Sequence, residues 1–290
     1  MRKLEAELDE NTAGKPLDKI LKEVFGLTKK QVSQAKFREN GICVNGKQVR
    51  TSYVGKSGDL LQVCVEEARE DTGKVLPVSG NVEVLYEDRD LIVLNKPGGI
   101  PCHPGRGHYE DSLANRLAGY YMEKGETSLV RAVGRLDLDT SGVMVFAKNQ
   151  VAAARLFKQK EEGSFKKEYL AVVRGIPKSP KGRILEPIGK MSGEKMKMQV
   201  DSYGKEADTA YEVLEAKGTY SLVKCHIRTG RTHQIRVHMA WLGHPLLGDV
   251  LYGDGKNPLF QGLALQAWKT EFFQPFTGEK IRIEVQPDWH

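Results

Sequence analysis

Gly134-Arg135-Leu136-Asp137-Leu138-Asp139-Thr140-Ser141-Gly142, followed by Val143-Met144-Val145-Phe146-Ala147, is the stretch on which the reading of this 290-residue chain turns. A glycine at each end, a Thr-Ser pair and two aspartates describe a loop that turns sharply and is tied by its own side chains. The apolar run behind it is a buried strand. A carboxylate at the mouth of a sheet is well placed as nucleophile or general base, because a rigid strand fixes where its oxygens point. An aspartate in such a loop can equally cap local N–H groups, and these residues alone leave both readings open.

Around this stretch the chain is long enough for one large domain with a smaller companion. An apolar content of 40% and a charged content of 28% describe a soluble globular protein. No run reaches the length of a membrane span, and the charged segment Arg2 to Glu10 lacks a signal-peptide core, so a cytoplasmic location without membrane partners is expected. Cys43, Cys64, Cys102 and Cys225 form no Cys-x-x-Cys pair, which argues against a zinc site or a disulfide framework. They read as small buried apolar residues. His226, His233 and His238 lack nearby carboxylate or thiolate partners, so no metal is expected.

The net charge of +6 is unevenly spread. Residues 12–50 hold nine Lys or Arg against three acids, residues 66–90 three against eight, and residues 216–248 contain Lys224, Arg228, Arg231 and Arg236 with no acid. Basic segments joined by an acidic connector suggest two surfaces for one polyanion, although solvated basic faces would give the same counts.

Apolar residues at 17, 20, 21, 24 and 25 predict an amphipathic helix over Pro16–Phe25, with Lys15, Lys19 and Lys22 on its other face. Thr28 and Gln31 predict a capping box opening a second helix, with Leu27 stapled on Val32. That helix carries Lys29, Lys30 and Lys36 and is expected to run to Asn40-Gly41. Ile42-Cys43-Val44, the turn Asn45-Gly46 and Lys47-Gln48-Val49 predict a hairpin, and Leu60 to Val65 a third strand. This pattern resembles the αL RNA-binding module of a ribosomal small-subunit protein, the S-four-like type. Leu17-Asp18-Lys19, the basic second helix, Asn40-Gly41-Ile42, Val44-Asn45-Gly46 and Gly58-Asp59 carry the likeness. The resemblance implies that Lys19, Lys29, Lys30, Lys36, Arg38 and Lys47 position RNA through its phosphates rather than by reading bases.

Residues 67–80 read as a linker, which divides the chain into an RNA-binding module at 1–66 and a catalytic domain at 81–290. In the latter, strands are expected at 82–86 and 91–94, closed by Asn95-Lys96-Pro97-Gly98-Gly99 and Cys102-His103-Pro104-Gly105. A helix capped by Asn149 follows over Val151–Lys160, then a strand over Phe165–Val173. An exposed loop is expected from 189 to 205, and a strand pair over 207–215 and 220–227. Thr229 to Leu242 reads as a turn followed by a helix ending at Gly243. The N-terminus of that helix, with Arg231, Thr232 and His233, reads as an anion site. A hairpin across Thr277-Gly278 ends the chain.

Together, Arg135-Leu136-Asp137 with Thr140-Ser141-Gly142, Asn95 to Gly99, Lys167-Glu168-Tyr169, Gly230 to His238, Gly243-His244-Pro245 and Gly248-Asp249 resemble the RluA family of RNA pseudouridine synthases, the large-subunit ribosomal RNA type. Gly134 and Gln266 stand where many members have histidine. The resemblance implies an α+β pseudouridine synthase fold: a mixed, largely antiparallel central sheet with peripheral helices. It implies conversion of uridine to pseudouridine inside RNA with no cofactor and no required metal, by a monomer whose RNA is ribosomal or, second, tRNA.

It further implies that Asp137 is the catalytic carboxylate, acting on C1′ or on a ribose proton. Arg236 would pair with Asp137, Tyr169 would stack on uracil and help remove the C5 proton, and Arg135 would fill the gap left by the flipped base. Arg231, His233, Lys96 and His103 would bind substrate. Two rival classes are a non-catalytic ribosome-assembly protein, which need not keep Asp137, Tyr169 and Arg236 together, and an N-glycosidase using Asp139 as second carboxylate. The family tolerates variation at the position of Asp139.

Overall fold

The computed structural model describes residues 2–65, 75–105, 107–126, 128–194, 196–255, 260 and 262–287. Most of the expected linker, 67–74, lies outside them. Residues 2–65 build a four-stranded sheet in the order β1 (Arg2–Glu7), β4 (Leu60–Val65), β2 (Ile42–Val44), β3 (Lys47–Gln48), covered by α1 (Leu17–Phe25) and α2 (Lys29–Lys36). The apolar stripe of α1 buries Leu17, Ile20, Leu21 and Phe25, and the Thr28–Gln31 capping box opens α2. Asn45 and Gly46, at φ 49° and 78°, give the left-handed pair that a two-residue hairpin requires.

Two readings are corrected here. α2 stops at Lys36 rather than Asn40, because the following turn is bonded to the hairpin: the Gln48 amide donates to the Arg38 carbonyl at 2.8 Å and accepts the Asn40 N–H at 3.2 Å. The charged leader is a strand, β1, antiparallel to β4 with Leu4 and Leu8 buried. Its pairing partner lies nearly sixty residues away, so the alternation from Lys3 to Leu8 does not by itself say what it pairs with.

The rest of the chain builds a ten-stranded sheet. Its order is β10 (Lys181–Ile184), β13 (Thr209–Lys217), β14 (Tyr220–Ile227), β9 (Lys166–Arg174), β15 (Leu265–Phe273), β8 (Ser141–Ala147), β6 (Leu91–Lys96), β5 (Glu83–Glu87), with β16 (Lys280–Glu284) on β15 and β7 (Arg131–Ala132) on β8. Only β15 and β8 run parallel; every other pair in this sheet is antiparallel. At that parallel pair a Cβ on Gly142 would stand 2.3 Å from the Ala267 carbonyl oxygen, so only glycine lets the strands close.

Alternation sorts the apolar run into two cores. Met144 and Phe146 face one core with Ile92, Leu94, Tyr169, α3 (Leu113–Glu123) and α5 (Gln234–Trp241). Val143, Val145 and Ala147 face the other, with Leu91, Val93 and α4 (Gln150–Glu161). A strand covered on both faces needs apolar side chains at every position, which is why 143–147 lacks polar alternation.

Asn149 caps α4, accepting the Ala152 N–H at 2.8 Å. The expected loop at 189–205 contains a ribbon, β11 (Ile188–Lys190) paired with β12 (Met198–Val200). α3 is an addition to the expected elements; its Ser112 and Asn115 cap one another. Arg155 of α4 joins the two sheets' territories. Its guanidinium donates to the carbonyls of Phe25 (2.8 Å) and Pro275 (2.7 Å) and lies over the Phe276 ring, and Val151 enters the core of residues 2–65. Among the described residues no helix is long and apolar enough to cross a membrane.

Candidate active site

The loop before β8 is fastened at successive residues. The Cys102 thiol donates to the Leu136 carbonyl and accepts the Leu136 N–H, both at 3.2 Å. The Leu138 carbonyl accepts from Lys96 Nζ (2.8 Å) and from the Gly99 N–H (3.0 Å). Asp137 lies between these fixings, half-buried, and its own carbonyl accepts the Thr140 N–H at 3.2 Å. A backbone held on both sides fixes the direction in which the Asp137 side chain leaves the loop.

Around it the fold gathers side chains from β9, α5 and the segment after α5. The Asp137 charge acts on Tyr169, Arg236, His233, Lys96 and Tyr252. Tyr169 is buried; loss of water, then the Asp137 carboxylate, raises its phenol well above the ordinary value. His233 adopts the left-handed conformation (φ 56°) at the head of α5, and its Nδ1 is 2.9 Å from the Tyr252 hydroxyl. Burial lowers its imidazole pKa, opposed by Asp137. Arg135 is exposed, near enough to His103 and His233 to lower both. The edge of His103 meets Phe146 at 6.3 Å between ring centroids.

Three expectations change. Arg236 does not pair with Asp137: its guanidinium is bidentate on Asp249, Nε to Oδ2 at 2.8 Å and a terminal nitrogen to Oδ1 at 2.7 Å. Burial disfavours both charges, and the pair overcomes it, holding Asp249 below and Arg236 above their ordinary values. Lys96 is fully buried and donates to the carbonyls of Pro97, Ile100 and Leu138, with burial pushing it down to about 8. Its ammonium secures the loop rather than facing a ligand. Arg231 is tied through Nε to the Glu206 carbonyl at 2.8 Å, and its backbone N–H donates to the Gln234 side-chain oxygen at 3.0 Å, so neither is free for an anion.

Asp139 lines a cavity of about 610 Å³ with Asn95, Arg116, Ser141 and Gln266. Asp137 is not part of that lining. In the N-terminal part Lys19, Lys29, Lys30, Lys36 and Lys47 are exposed and Arg38 half-buried. None of those five lysines pairs with an acid among the described residues, whereas Lys15 and Lys22 are taken up by Glu23 and Asp18. Among the described residues no three His, Cys, Asp or Glu side chains converge to hold a metal ion.

Asp249, Tyr252 and Cys102 are parts of the site to which the sequence reading gives no role. Gly248-Asp249 is visible as a pattern, but its partner is not.

A family model described as RNA pseudouridylate synthase matches residues 90–241. The chain is 39% identical over 286 residues to the uncharacterized RNA pseudouridine synthase YhcT of Bacillus subtilis, covering 98% of this chain and 93% of that protein. It is 33% identical over 300 residues to the ribosomal large subunit pseudouridine synthase D of Yersinia pestis, covering 99% and 90%. Among solved structures, human RNA pseudouridylate synthase domain containing 1 superposes with a TM-score of 0.59 at 30% identity, over 71% of this chain and 84% of that one. Held together by this site and these likenesses, the chain belongs to the RNA pseudouridylate synthase family and is an isomerase acting on RNA.

Proposed function

We propose that this RNA pseudouridine synthase modifies uridine in large-subunit ribosomal RNA, with Asp137 as catalytic carboxylate and residues 1–66 as an RNA-positioning module for the catalytic domain at 81–290. Relatives from three bacteria named ribosomal large subunit pseudouridine synthase D, each matched over at least 87% of its own length, support that target over tRNA. Such a substrate puts the enzyme in the cytoplasm, and one chain carrying both surfaces needs no second copy.

The reaction breaks the C1′–N1 bond, turns uracil, joins C5 to C1′ and moves a proton from C5 to solvent while N1 gains one. Asp137 would act on C1′ or on a ribose proton. The Arg236 guanidinium, anchored by Asp249, would set a positive charge within electrostatic reach of Asp137 rather than pair with it directly. Tyr169 would stack on the detached uracil; a phenol with a raised pKa is a poor base for the C5 proton. Arg135 would fill the space of the flipped nucleotide, beside His103 and His233. The observation that carries this reading is the clamp on Leu136 and Leu138, which fixes the Asp137 backbone within electrostatic reach of Tyr169 and Arg236.

Asp137→Asn is expected to abolish tritium release from uracil-5-labelled RNA while keeping RNA affinity within a few-fold, because the carboxylate contributes little to phosphate binding. Activity above a few per cent of wild type would overturn the assignment. Pseudouridine maps of cells with and without the protein test the target.

A further inference from the structure

The N-terminal part exposes an aromatic ring that its core does not use. Phe37, directly after α2, is 80% exposed, although Val32 and Ala35 of the same helix are buried. The ring is not on a loose end: the turn that follows it is fastened by both ends of the Gln48 amide to the hairpin. Lys36 Nζ stands 5.4 Å from the ring centroid, Arg38 follows, and Lys29, Lys30 and Lys47 are exposed cations of the same small unit. A rigid, solvated phenyl ring inside a basic field has the two parts of a single-strand nucleic-acid platform: a flat apolar face for a base and cations for its phosphates.

We propose that Phe37 is a base-stacking platform, on which the N-terminal part holds one unpaired nucleobase of the substrate RNA while Lys36 and its neighbours take the flanking phosphates. The inference rests on the reading of residues 1–66 as an RNA-positioning module and adds an interaction that phosphate positioning lacks. Stacking tolerates any base but requires it to be unpaired, so the platform selects loops and bulges over continuous duplex.

The test uses the full chain and two probes, a fluorescein-labelled uridine 12-mer and a 12-base-pair RNA duplex, titrated at several salt concentrations. Phe37→Ala is expected to weaken binding of the 12-mer roughly 5- to 100-fold. The slope of log affinity against log salt should not change, because no cation is removed. Phe37→Trp should restore affinity, Phe37→Leu should not, and duplex binding should change less than twofold. Lys29→Gln with Lys30→Gln should instead flatten the slope. Full binding by Phe37→Leu, equal loss on both probes, or a changed slope would overturn the stacking. So would a shift in sedimentation with unchanged RNA affinity, which would assign the ring to a second copy of the chain. Unchanged affinity in the double lysine variant would overturn the module reading itself, and stacking with it.

Discussion

Asp249→Asn isolates the part of the site that the sequence does not reveal. The carboxylate is 0% exposed and its guanidinium partner 3%. Besides the two bonds from Arg236, Oδ1 accepts the N–H groups of Leu251 at 2.9 Å and Tyr252 at 3.1 Å. Asparagine preserves the shape but removes the charge and turns one acceptor into a donor facing other donors. Leaving one member of a buried ion pair uncompensated costs about 3–5 kcal/mol. With a urea dependence of about 3 kcal/mol/M, the unfolding midpoint should fall by roughly 1–1.7 M.

Activity should fall with it even where the variant is folded, because Arg236 loses its anchor and a misplacement of about 1 Å costs on the order of a hundredfold in rate. Urea unfolding followed by tryptophan fluorescence and single-turnover tritium release measure the two effects. A double-mutant cycle with Arg236→Gln then separates the pair from its surroundings, since the second substitution should cost much less once the first is made. A midpoint shift under about 0.3 M, which is about 0.9 kcal/mol at that slope, or additive effects in the cycle, would refute the argument.

Three further outcomes are expected. Glu87 accepts from Lys148 (2.5 Å), Tyr120 (2.8 Å) and Lys124 (3.0 Å); burial would raise its pKa, but these bonds hold it at about 2, against 4.5 ordinarily. A depressed carboxyl stabilises the fold above its unfolded value, so Glu87→Gln should cost about 3 kcal/mol at pH 7, a difference that fades as pH falls from about 4.5 to about 2. Denaturant unfolding of both proteins at pH 7, 4 and 3 checks the window, and a pH-independent difference would contradict it. Removing residues 1–66 should flatten the salt dependence of binding to a long structured RNA by roughly three units, at about 0.7–0.9 for each phosphate the module neutralises. An unchanged slope would assign the RNA footprint to the catalytic part. The same deletion uncovers Val151 and Phe276, which pack on the N-terminal core, so thermal unfolding of the truncated protein should come at lower temperature.

Much of the architecture is legible in neighbouring residues. The stripe of α1, the Thr28–Gln31 box, the Asn45-Gly46 turn and the Asn149 cap all join residues a few positions apart, and each forms as its local chemistry dictates. β1 and α3 go beyond the expected elements, yet both carry local marks: alternation from Lys3 to Leu8, and a reciprocal Ser112–Asn115 cap. The Asp137 motif likewise stands in the sequence, as do Tyr169 and Arg236.

What the sequence by itself determined is therefore most of the elements and the Arg135-Leu136-Asp137 motif that marks the proposed carboxylate. The tertiary structure alone decided how that carboxylate is held. Cys102 meets Leu136 across 34 positions, Lys96 meets Leu138 across 42, Arg236 meets Asp249 across 13, and Arg155 meets Phe25 across 130. Such partners leave no periodicity, because a hydrogen bond across the fold constrains the two residue types but not their spacing. A buried arginine must find an acid, and only the closed sheet shows that the acid is Asp249 rather than Asp137.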